Sequence, residues 1–135
     1  MVRSIVRARA LSLGLVCVAL LLALGSQVVH GEDFDPQSLI GEWQGTWSLG
    51  AQRGVTGNYY ITIKKVDGEK VYGRSERPAT TRTAESNWGF VGTLAGNVLT
   101  VKNSDNVMEL TVIGKRMEGW ALIRGNRNEI NLTKK

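Results

Sequence analysis

From Gly41 onward, apolar and polar residues change places at every second position, in short runs separated by Gly, Asn and Asp. Alternation of period two sends successive side chains to opposite faces of a strand. Each run therefore predicts an extended segment with one packed and one wet face. Eight are predicted: Gly41 to Leu49, Gly57 to Val66, Lys70 to Arg77, Asn87 to Leu94, Val98 to Lys102, Val107 to Ile113, Arg116 to Arg124 and Glu129 to Thr133. Trp43, Gly45, Trp47 and Leu49 share a face of the first, and Tyr59, Ile61 and Ile63 a face of the second. Trp88, Phe90, Gly92 and Leu94 do so in the fourth, and Met108, Leu110 and Val112 in the sixth. Sustained helical periodicity is absent from this region. A single turn from Asp35 to Ile40 is the exception, where Asp35 can cap and Pro36 suits the first helical position.

The connections order these strands. Asp67-Gly68, Gly96-Asn97 and Gly114-Lys115 are tight-turn signals between strands two and three, four and five, and six and seven. Gly50 to Thr56, Pro78 to Ser86, Asn103 to Asn106 and Gly125 to Asn128 read as longer connections. In an antiparallel meander alternate connections fall at the same end, so the tight turns gather at one end and the long ones at the other. Closure removes the exposed edges of such a meander. The expectation is an all-β, eight-stranded antiparallel up-and-down barrel, closed at the tight-turn end by the Pro36 turn; a two-sheet sandwich is the other arrangement this pattern permits. A membrane-spanning barrel is not expected, because most runs are shorter than the ~9–11 residues such strands need. Their outward positions also carry Glu42, Gln44, Thr62, Lys64, Arg74, Glu76, Glu109 and Asn131.

Residues 1–31 differ in kind. Arg3, Arg7 and Arg9 precede an almost wholly apolar run, Ala10 to Leu24, without any acidic residue. A basic n-region and a short apolar h-region are the pattern of a secretory signal peptide, and the run is shorter than the ~20 residues of a membrane-spanning helix. Cleavage is expected after Gly31, with Gly25 as the second site, giving a domain of residues 32–135 that is secreted or periplasmic. Its loss removes the sole cysteine, Cys17, and the sole histidine, His30. It also removes three of the 17 Lys+Arg against an unchanged 12 Asp+Glu, so the net charge falls from +5 to +2. That balance gives no reason to expect a nucleic-acid partner.

Without His or Cys, residues 32–135 lack the Ser-His-Asp and Cys-His machineries and the usual zinc ligands. Glu42, Glu76, Glu109, Glu118 and Glu129 read as outward strand positions. A non-enzyme without cofactor or metal is expected. Binding is what a barrel with a loop-rich mouth can offer. Its inward positions near that mouth are Trp47, Tyr59, Ser75, Trp88, Phe90 and Met108, with Arg77 at the rim. Aromatic walls with a few polar groups suit a small aromatic or amphipathic ligand, although the same side chains can simply fill the interior. Arg82, in the donor-rich loop Pro78 to Thr83, can fold over the mouth and clamp a carboxylate or phosphate, or stay solvated. Gly41 and Trp43, toward the closed end, are expected to be structural.

The helical turn followed by Gly41-Glu42-Trp43 at the first strand resembles the opening of calycins, the lipocalin and avidin group. That resemblance implies that Trp43 closes the barrel bottom under a basic residue from late in the chain: Arg116, Lys134 or Lys135. The stretch Ala84 to Gly92 is similar to the fourth-strand region of streptavidin-like proteins; the polar residues that bind biotin in avidins find no match. The resulting expectation is a ligand-binding barrel. The alternative is a protein-binding module of the kind exported protease-inhibitor barrels represent. Strand seven is apolar on both faces, and Trp120 on its outer face would then support a homo-oligomer.

Overall fold

The structure is a computed structural model that describes residues 33–50 and 54–135. Residues 1–31, the expected signal peptide, and Arg53 of the first long connection lie outside the described residues. Pro36–Leu39 forms one 3-10 turn, followed by β1 (Gly41–Leu49), β2 (Thr56–Asp67), β3 (Lys70–Arg77) and β4 (Ser86–Ala95). Then come β5 (Val98–Lys102), β6 (Asn106–Ile113), β7 (Arg116–Ile123) and β8 (Asn126–Lys134). Each strand pairs antiparallel with the next, and β1 pairs with β8, closing an eight-stranded up-and-down barrel. The period-two pattern is thus resolved as a barrel and not a sandwich.

Two local features depart from simple alternation. The β2–β3 register shifts between Ile63 and Lys65, leaving one extra residue on β2. This bulge turns Lys64 and Lys65 both outward and returns Val66 to the core opposite Val71. The second departure corrects the expected last loop. Arg124 and Gly125 make a two-residue turn with φ of 51° and 79°, both left-handed, so β8 begins at Asn126 rather than Glu129. A non-glycine residue in that region is uncommon, and Arg-Gly carries none of the Asn-Gly or Asp-Gly signal. One tight turn therefore sits among the longer connections, and the ends are not sorted cleanly by loop length.

The closed end is built on Trp43. Its indole Nε1 donates to the Leu39 carbonyl at 2.9 Å, with Leu39 and Trp43 both buried. Asp35 accepts from the Gln37 N–H and so caps the turn, while the Gln37 side chain donates to the Val66 carbonyl. Lys134 Nζ lies 5.8 Å from the Trp43 ring centroid and donates to the Ser38 carbonyl. Of the three late basic residues, Lys134 is the one on Trp43; Arg116 pairs with Glu118 and Lys135 with Glu42 on the outer surface.

Above this floor the interior is filled by Ile61, Ile63, Leu99, Leu110, Met117 and Ile130, among others. Close strand approach is possible where side chains are missing. A Cβ on Gly45 would overlap the Asn131 carbonyl of β8, and one on Gly119 the Glu109 carbonyl of β6. Met117, Ala121 and Ile123 point inward, which places Trp120 on the outer face, half-buried, with the Arg127 guanidinium 5.0 Å from its ring. Among the described residues no helix is long and apolar enough to cross a membrane.

Candidate ligand-binding site

At the end opposite Trp43, the last inward residues of the strands form a polar layer over the apolar core. Arg77 closes β3 only 7% exposed. Its Nη1 donates to Asn128 Oδ1 at 3.1 Å and its Nη2 to the Ala84 carbonyl at 3.3 Å. Its guanidinium lies 4.9 Å from the Trp47 ring, a stacking a desolvated cation favours. Asn128 is fully buried and also donates to the Asn126 carbonyl. One layer down, the hydroxyls of Tyr59 and Ser75 share a hydrogen bond of 2.6 Å, and Tyr59 also reaches Met108 Sδ at 3.8 Å.

Burial sets the electrostatics. It pushes the Tyr59 phenol above the ordinary tyrosine range, against the opposing effects of the Ser75 hydrogen bond and Arg77. It holds the Arg77 guanidinium below the arginine range, opposed by Tyr59 and reinforced by the like charge of Arg124. Arginine still stays charged at neutral pH. Arg77 belongs to none of the ion pairs among the described residues: Lys65–Asp67, Arg74–Glu76, Arg116–Glu118, Arg127–Glu129 and Lys135–Glu42.

Beside this layer the wall opens. β4 runs for ten residues, but its register with β5 covers only Thr93, Leu94 and Ala95, while β5 stays on β6 through Lys102. Into the gap opens a cleft of about 750 Å³, lined by Glu85 to Trp88, by Ser104 to Asn106, and by the Arg124-Gly125 turn. Two polar atoms on its walls, Trp88 Nε1 and Asn106 Oδ1, are buried without a hydrogen-bond partner. Trp47 Nε1 and Arg77 Nε, in the layer below, are in the same condition. Orphaned buried polar groups are rare, and each calls for a reason.

The expected site residues are thus divided. Trp47, Tyr59, Ser75 and Met108 are fully buried, and Phe90 nearly so, its ring 5.8 Å from that of Trp88. Only Trp88 of the expected set lines the cleft; Arg77 is outside the lining, bonded to the Ala84 carbonyl next to Glu85. Arg82 is exposed, in a loop held by hydrogen bonds among Thr80, Thr83 and the Arg82 N–H. Arg127, two residues past the Arg124-Gly125 turn, stands on the outside paired with Glu129. Asn106 and Asn128 stand outside the expected set. Extending the inward period of β6 back from Met108, and that of β8 back from Ile130, reaches Asn106 and Asn128; Arg124, the last residue of the seventh predicted strand, falls at the loop-rich end by its position.

Glu42, Glu76, Glu118 and Glu129 pair with neighbouring basic residues on the outer wall, and Glu109 is exposed. Among the described residues no group of three His, Cys, Asp or Glu side chains comes together. Fold and cleft together define a closed antiparallel barrel with a polar opening in its wall at one end. No family model, curated protein or solved structure matches the chain.

Proposed function

We propose that this is an exported, non-catalytic binding protein that holds a small molecule in the cleft between β4 and the loops of the mouth. One observation carries the reading: an opening of about 750 Å³, lined by Trp88 and by the polar side chains of Ser86, Asn87, Ser104, Asp105, Asn106 and Arg124, stands where β4 has no partner strand on that side. That volume falls within the ~300–1,000 Å³ of small-ligand sites. The lining is more polar than an apolar cup would be, so the ligand is amphipathic, with the Trp88 ring beside its apolar part. Kinship with calycins is part of this proposal, and its support is the Gly41-Glu42-Trp43 opening with Lys134 on the tryptophan.

The test is native mass spectrometry of the protein purified from its host, joined to NMR screening of small molecules read at the Trp88 indole N–H and the Asn106 carboxamide. A retained small mass that is lost in Trp88→Phe and Asn106→Ala supports the reading. A protein free of small mass, with both signals silent through the screen, refutes it. A second reading, a protein-binding module, is favoured by the one-sided pairing of β4 from Ser86 to Gly92, where an extended peptide could add a strand. That reading predicts movement of the β4 backbone amides on binding an extended peptide.

A further inference from the structure

The outer wall of β6, β7 and β8 carries two rows of side chains with opposite charge. Nearer the mouth, Val107, Leu122 and Arg127 stand opposite one another across the three strands, and Lys102 of β5 stands opposite Val107. The next row toward the closed end holds Glu109, Trp120 and Glu129. Met108, Ala121 and Asn128, which alternate with these residues, are buried in the interior, so both rows face outward. The first row contains no acid and the second no base. Each has an apolar centre, Leu122 with Val107 in one and Trp120 in the other. Among the described strands, only β7 sets two large apolar side chains in succession on the outside.

We propose that this wall is the interface of a two-fold symmetric dimer of the chain. In such a contact each surface meets its own copy. With the axis running across the strands, midway between the two rows, the first row of one copy lies on the second row of the other. Leu122 then faces Trp120 of the second copy, and Arg127 faces Glu129 of the second copy, each contact occurring twice. Glu109 of the second copy falls on Val107, one strand spacing of about 4.8 Å from Lys102. A wall of one sign would repel its own image, whereas two rows of opposite sign attract it. Within one chain Arg127 already pairs with Glu129, but the two side chains are 57% and 44% exposed. An ion pair so exposed contributes little, so exchanging it for one with the second copy costs little. None of these residues lines the cleft, and the inference stands apart from the ligand-binding reading.

The experiment is sedimentation velocity of the purified protein over a concentration series. A convex barrel wall buries less than the ~1,200 Å² of a stable complex, so the monomer–dimer transition is expected at roughly 10–100 μM. Arg127→Glu sets acid against acid across the axis, and Glu129→Arg sets base against base. Each variant alone is expected to stay monomeric where the wild type dimerises. Mixed one to one, the two are expected to form a heterodimer, because each supplies the sign the other lacks at both contacts. Mixing leaves the lost pair within each chain unrepaired, so the recovery reads the contact between copies alone. Leu122→Asn, on the same outer wall, should weaken the dimer about tenfold or more; should a charge variant not fold, this one still tests the surface. A wild type that is monomeric throughout the series overturns the proposal. So does a mixture that stays monomeric, or a dimer that all three variants leave intact.

Discussion

Trp43 and Trp47 stand two positions apart on the inward face of β1, and both are fully buried, but only one indole N–H is satisfied. Replacing each with Phe isolates that difference. Both changes shrink an indole to a phenyl ring in a packed interior, and both weaken a cation–π contact, with Lys134 in one case and Arg77 in the other. Those costs are similar and cancel in the comparison. Trp43→Phe also strips the Leu39 carbonyl of its donor in a buried place, a penalty of about 1–3 kcal/mol. Trp47→Phe removes a donor that has no partner, so no such penalty arises. Trp43→Phe should therefore be the less stable variant by about 1–3 kcal/mol, or roughly 4–20 °C in melting temperature for a domain of this size. Urea denaturation followed by circular dichroism measures the difference directly. Equal losses, or a larger loss at Trp47, would refute the claim that the floor hydrogen bond distinguishes the two tryptophans.

Gly45→Ala should destabilise by about 1–3 kcal/mol or more, since its methyl meets backbone and not a yielding side chain; thermal melts check it, and an unchanged melting temperature contradicts the close β1–β8 approach. The Tyr59 phenol, raised by burial, keeps its proton in the folded barrel when the unfolded chain has begun to lose it near pH ~10. The stability this contributes is complete below that pH and is lost as pH rises through the raised native value. Denaturation series between about pH 9 and 12 should show a steeper alkaline loss in wild type than in Tyr59→Phe. Exported material should begin at Glu32, or at Ser26 for the second cleavage site, by N-terminal sequencing; full-length protein retained in the cytoplasm contradicts export.

Most of the fold was legible because alternation and turns agreed. The bounds of β1, β3 and β5 match the sequence pattern residue for residue. The failures have local causes. The bulge after Ile63 is hidden because Lys64 and Lys65 are both polar, and only the return of Val66 to the core betrays it. The start of β8 was obscured because Asn126, Arg127 and Asn128 read as loop residues, whereas the left-handed Arg124-Gly125 turn commits them to the sheet. The site was less legible than the fold for the same reason. Its polar groups sit at strand ends, where burial depends on where neighbouring strands stop. The gap beside β4 follows from the end of its register with β5 at Thr93, and which side chains line it from the register of strands distant in sequence.

The pole opposite the cleft has a separate consequence. Pro36 and Lys135 both lie there, the latter with its N–H on the Glu42 carbonyl. A short linker could join the two ends of the barrel, and the circle could be reopened at the Gly96-Asn97 turn of the same pole. Such a circular permutant would keep every strand pair and the whole cleft, with new ends still facing away from the opening. The same geometry means that the barrel, attached to a surface or a carrier through Lys135, presents its cleft to the solution.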